Sequence, residues 1–151
     1  MKILVALDES ENALRAVEFV TDHFTPEHQV TLFSVIPEVS VLCEYISPGY
    51  FLSEQKSFCE MEEKKRNLVK EAQEKAKKIL LRAGFPERNI TAKMQSKGRS
   101  VANEIIDEAA EGYQLIILGR RGLSGISEFF LGSVSQKVLH GSKNATILLV
   151  S

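Results

Sequence analysis

Apolar runs and helix-period patterns alternate along this chain, and that alternation predicts its elements. Residues 2–7 (Lys-Ile-Leu-Val-Ala-Leu) are apolar on both faces, as a central strand covered by helices should be. Ser10 can then cap a helix running to about Phe24, with Ala13, Leu14, Val17 and Val20 on its inner side and Thr25-Pro26 as its stop. Residues 29–36 predict a second strand, closed by Pro37. Residues 37 to about 57 are the least regular, with Pro48, Gly49, Tyr45, Tyr50 and Phe51; a loop of this length is expected to be functional or partly mobile. A long helix follows over about 54–83, with Met61, Leu68, Val69, Ala72, Ala76, Ile79 and Leu80 on one core-facing stripe, ended by Gly84 and Pro86. A weaker third strand covers 90–95. Ser100 caps a helix carrying Val101, Ile105, Ile106 and Ala109 and ended by Gly112. The fourth strand is 115–118, the last helix 133–140 with Gly141 just past its end, and the fifth strand 145–151. Strands alternating with helices argue for an α/β fold on a mostly parallel sheet, in one domain spanning 1–151.

Composition narrows the classes of function. The chain has 151 residues, 44% of them apolar, enough for a real core. Its 19 basic and 20 acidic residues nearly cancel, which speaks against nucleic-acid binding. The basic run Lys64-Lys65-Arg66 lies among Glu60, Glu62, Glu63 and Glu71 and reads as a solvated helix face. The apolar opening run is too short for a signal peptide, and nothing approaches the ~20 apolar residues of a membrane helix, so a cytoplasmic protein is expected. Cys43 and Cys59 form no metal-ligand pattern. A disulfide between them stays open, but two ordinary thiols in a reduced cytoplasm are the favoured reading.

The candidate chemistry lies near the C-terminus. Gly119, Gly122, Gly132 and Ser133 stand in the spacing G-x2-G-x9-G-S directly after the apolar run Leu115-Ile116-Ile117-Leu118. A buried strand that opens into a glycine-rich loop and then a helix can hold phosphate. Glycine lets an anion approach the backbone, and the first helical amides have no internal partner. Ser133-Val134-Ser135-Gln136 is equally an S-x-x-Q capping box, which needs no ligand.

With these segments in view, the chain resembles the universal stress protein family over nearly its whole length. The resemblance rests on Ile3-Leu4-Val5-Ala6-Leu7-Asp8-Glu9-Ser10, on Gly98 ahead of a helix, on residues 115–122, and on Leu131-Gly132-Ser133-Val134-Ser135. It implies a Rossmann-like open sheet of five parallel strands in the order 3-2-1-4-5 with helices on both faces, and dimerisation through the last strand. It places the chain in the ATP-binding subclass. Asn144-Ala145-Thr146 and Arg99-Ser100 depart from the family's usual prolines without removing a presumed ligand contact.

In such a sheet, ligands bind beyond the carboxyl ends of the strands where the order reverses, between strands 1 and 4. Leu7-Asp8 and Leu118-Gly119 would face each other there. Gly119, Gly122 and Gly132 would let amides wrap the phosphates, with Ser133 and Ser135 adding hydroxyls and Leu123 and Val134 flanking them. Arg121 could pair with a phosphate. Asp8 would accept from ribose or help hold Mg²⁺, unless it merely ends a strand or caps the next helix. From the resemblance, Val35 would meet adenine through its backbone. His23, His28 and His140 all fall away from that crevice, which weakens any histidine mechanism. Glu9 and Glu128 are candidate bases by proximity in sequence alone. The leading expectation is therefore an ATP-dependent regulatory switch in a stress response. The alternatives are a slow ATPase or nucleotide-transfer enzyme, and a dimeric interaction module that binds AMP, cyclic AMP or nothing. The terminal strand, 145–151, is apolar and without charge or proline, an edge that invites a second copy of the chain.

Overall fold

A computed structural model describes residues 1–36, 43, 53–120 and 131–151. The strands are β1 (Lys2–Ala6), β2 (Gln29–Ile36), β3 (Ile90–Ser96), β4 (Leu115–Gly119) and β5 (Thr146–Val150). The helices are α1 (Glu11–His23), α2 (Ser53–Arg82), α3 (Val101–Ala109) and α4 (Ser133–Gly141), with a 3₁₀ turn at Glu87–Asn89. All five strands pair in parallel in the order β3-β2-β1-β4-β5, as the resemblance implies.

The period of two along each strand separates two cores. Ile3, Val5, Leu32, Leu115 and Ile117 face α1 and α2, where Ala13, Val17, Val20, Ala76 and Leu80 cover them. Leu4, Phe33, Ile116 and Leu118 face α3 and α4, beneath Ala102, Ile105, Ala109 and Val138. With helices on both sides, β1 and β4 are apolar on both faces, and β1 has three fully enclosed residues in Ile3, Leu4 and Val5. Among the described residues, no helix is long and apolar enough to cross a membrane.

Four expectations need correction. The stripe on α2 is core only in its second half: Val69, Ala72, Ala76 and Leu80 are buried, whereas Met61 is 68% and Leu68 41% exposed. Length explains this. Thirty helical residues span ~45 Å, while a strand of eight residues spans only ~26 Å, so the helix overruns the sheet. Gly141 lies inside α4 rather than past it; a Cβ there would come within 2.5 Å of Ile106 Cδ1, so glycine serves the close approach of α3 and α4. The N-cap of α4 is Gly132, with no side-chain bond, and Ser133 is already helical, so the capping box does not form. Finally, Cys43 and Cys59 are joined in a disulfide, their Cα atoms 5.8 Å apart, because residue 43 returns to the first turns of α2.

Candidate functional site

The crevice forms where the chain leaves the middle of the sheet in opposite directions. β1 passes to α1 on one face, and β4 leads on toward α4 on the other. Between them a cavity of about 260 Å³ opens at the carboxyl ends of the strands. Its apolar floor comes from Leu7, Phe33, Val35, Val101, Ile105 and Leu118, and its polar wall from Asp8, Glu9, Ser10, Lys65, Ser133 and Ser135.

The sequence of each wall explains its geometry. Leu7 extends β1 by donating its N–H to Phe33 O at 2.8 Å. The chain then turns on Asp8, whose Oδ1 accepts both the N–H of Ser10, at 3.0 Å, and the Ser10 hydroxyl proton. Ser10 Oγ in turn accepts the Ala13 N–H at 3.2 Å. Asp8 thus commits one oxygen to the turn and keeps the other. On the opposite wall, Arg120 N–H donates to Val150 O and the Gly132 N–H donates to Arg120 O at 3.1 Å, which draws Gly132 to the end of β4. Ser135, nearly buried, donates its hydroxyl proton to Gly119 O at 2.9 Å and seats the first turn of α4 over the strand end.

The helix N-termini differ in how they are closed. The first amides of α1 are capped by Ser10 and those of α3 by Ser100, whose Oγ accepts from Asn103 N–H. α4 begins at Gly132 without a side-chain cap, and its first turn, Ser133 to Ser135, lines the crevice. Among the described residues no side chain caps this turn, so the amides after Gly132 and the positive end of the helix dipole face the cavity. That is an anion-binding arrangement.

Of the twelve residues expected at the site, nine are brought together around this one cavity: Leu7, Asp8, Val35, Leu118, Gly119, Gly132, Ser133, Val134 and Ser135. Arg121, Gly122 and Leu123 lie outside the described residues, as do Glu128 and most of the irregular stretch before α2. The Ser135 hydroxyl donates its proton to the Gly119 carbonyl and leaves its lone pairs toward the cavity it lines. None of the three histidines lines the crevice. His23 stacks on Phe19 with ring centres 4.0 Å apart, and His140 Nδ1 contacts Gln136 O.

Two wall residues escaped the sequence reading. Lys65, assigned there to a solvated helix face, reaches the crevice from α2, where its Nζ is 3.9 Å from Glu9 Oε1. Glu9 itself stood only as a candidate base; its Oε2 is shut from solvent and, among the described residues, has no hydrogen-bond partner.

The family model for the universal stress protein family matches residues 1–149. The chain belongs to that family. It is 30% identical over 145 residues to Universal stress protein YxiE of Bacillus subtilis, across 91% of this chain and 90% of that one. Among solved structures it superposes on the hypothetical protein MJ0577 with a TM-score of 0.72 at 29% identity, covering 99% of this chain and 94% of that one. A universal stress protein solved in complex with cAMP gives a TM-score of 0.69 at 21% identity, over 100% of this chain and 97% of the other. At that identity the second likeness concerns the fold alone.

Proposed function

We propose that this universal stress protein binds an adenine nucleotide, ATP foremost, in the crevice between β1 and β4, and that occupancy acts as a regulatory signal in a stress response. One observation carries the reading. The uncapped first turn of α4 opens onto a cavity whose far wall holds Asp8 and whose floor is apolar. A flat apolar base suits Val35, Phe33, Val101 and Ile105, ribose hydroxyls suit the free oxygen of Asp8, and phosphates suit the α4 amides. The glycine loop, with Arg121 and Gly122, would close over the phosphates, Leu118, Gly119 and Leu123 flanking them. Mg²⁺ would arrive on the phosphates and take one carboxylate from the protein, a role Asp8 can fill; such ions need few protein ligands.

A switch fits this site better than turnover. Hydrolysis needs a placed base beside the reacting phosphate. Ser135, one of the crevice hydroxyls, donates its proton to Gly119 O, and the histidines lie elsewhere. We further propose one cytoplasmic domain over 1–151, paired with a second copy through the strand 145–151. β5 is the last strand of the sheet, and Ile147, Leu148, Leu149 and Val150 are only half-buried in one copy.

Thermal unfolding of the purified chain with ATP, ADP, AMP and cyclic AMP, followed by a phosphate-release assay, tests the reading. ATP at 100 times its Kd should stabilise the fold by about 2.7 kcal/mol without multiple turnovers. No shift with any of the four nucleotides would defeat it. Preferential stabilisation by cyclic AMP would transfer the site to the ligand of the cAMP-bound relative. A monomer on gel filtration at micromolar concentration would defeat the pairing.

A further inference from the structure

Lys65 and Glu9 form an ion pair that is incomplete in two respects. At 3.9 Å the ammonium and Glu9 Oε1 are beyond hydrogen-bond length, and Glu9 Oε2 is enclosed without a partner among the described residues. Enclosing a carboxylate oxygen unpaired costs free energy, and a loose, half-exposed ammonium recovers little of it. The pair also stands at a position that matters electrically. Asp8 and Glu9 put two carboxylates on one wall of the crevice, which by themselves would repel an anionic ligand. Lys65 is the basic side chain among the described residues that line it.

Resting on the nucleotide reading above, we propose that Lys65 is a specificity-determining residue that leaves Glu9 for a phosphoryl oxygen of the bound nucleotide. The Lys65 side chain is 47% exposed on a flexible four-carbon stem, so its charge can move without disturbing α2. Exchanging one anionic partner for another keeps the ammonium paired throughout. A ligand hydroxyl then supplies the donor that Glu9 Oε2 lacks. A nucleotide carries both groups; a nucleoside carries only the hydroxyls. The pair therefore selects phosphorylated ligands, and it does so from α2, an element outside the glycine motif.

Calorimetric titrations with ATP, AMP and adenosine at one ionic strength test the assignment. Lys65→Met should weaken ATP and AMP about tenfold or more while leaving adenosine within about twofold. Lys65→Arg should retain most of the preference, and Glu9→Gln, which removes the competing carboxylate, should tighten ATP several-fold. Lys64→Met changes the same charge one residue away and should leave the ratio of ATP to adenosine affinity as it is. Circular dichroism establishes that each variant is folded. An unchanged ratio in Lys65→Met, or an equal change in Lys64→Met, overturns the assignment while leaving the nucleotide reading intact. Failure of the native chain to bind ATP, AMP or adenosine overturns the nucleotide reading, and this assignment falls with it.

Discussion

Two of the polar groups that this fold encloses are finished to different degrees. Beneath α3, Tyr113, Thr31, Glu108 and Lys93 form a closed set. The Tyr113 hydroxyl lies 2.9 Å from Glu108 Oε1 and 3.1 Å from Thr31 Oγ1. Its proton goes to the carboxylate, and the Thr31 hydroxyl can donate back to the phenolic oxygen. Glu108 Oε2 takes the Lys93 ammonium. Every polar atom has a partner, and the set ties β2, β3 and α3 together. At the crevice, among the described residues, Glu9 keeps an enclosed oxygen unpaired and no side chain caps the first turn of α4. A closed network is worth having for stability alone. An open one costs stability, a cost that the proposed nucleotide would offset. On the proposed function, the difference separates polarity kept for structure from polarity kept for a ligand.

Glu108→Ala should show the largest effect. The change strips an acceptor from an enclosed phenol and a partner from Lys93. Lys93 is nearly half exposed, so water takes over part of the loss. Unfolding in urea should register a loss of about 2 kcal/mol at constant slope. Nucleotide affinity of the folded variant should stay as in the native protein. A loss of affinity with no loss of stability would reverse the comparison.

Tyr113→Phe should cost less, about 1 kcal/mol at neutral pH, and it carries a pH signature. Burial first, and then the Glu108 carboxylate, raise Tyr113 above the ordinary value of 10.0, with the Thr31 contact working the other way. The folded state therefore holds this proton where the unfolded chain has begun to release it. Its contribution to stability is fully present below pH ~10 and is lost as the pH rises through the elevated folded value. Native stability should accordingly fall above pH ~10, and the deficit of Tyr113→Phe should narrow over the same range. A deficit independent of pH would show that the phenol proton plays no part.

The closed network and the open one were not equally legible in the sequence. The inner strands were readable because their faces are largely apolar, and β2 falls at Gln29–Ile36 as expected. Caps made by one local side chain were readable too: Ser10 and Ser100 both accept from the amide three residues on. The last helix starts at Ser133 as expected, and only the alternative capping box fails, because Gly132, held by its N–H to Arg120 O, takes the N-cap position. The stripe on α2 continues past the sheet because helical periodicity contains no information about where the partner ends. Lys65 was hidden for the same reason. Within its own helix it is one charge among many, and only the packing of α1 against α2 brings it to Glu9. The Cys43–Cys59 bridge likewise depends on a long-range return of the chain, which spacing alone leaves undecided.

Glu9→Gln should produce the smallest change in stability and is the sharpest test of the comparison. If Glu9 were structural like Glu108, neutralising it would break a needed pair and destabilise the empty protein. An oxygen enclosed without a partner makes the opposite forecast. The amide is cheaper to keep from water than the carboxylate, and the pairing lost with Lys65 at 3.9 Å is weak. Folding stability without nucleotide should therefore stay within about 0.5 kcal/mol of native or rise by up to ~1 kcal/mol. The effect of the substitution should appear instead in the ligand-dependent part of the melting curve. A loss above ~1 kcal/mol in the empty protein would place Glu9 with Glu108, and the wall of the crevice would then be structure rather than site.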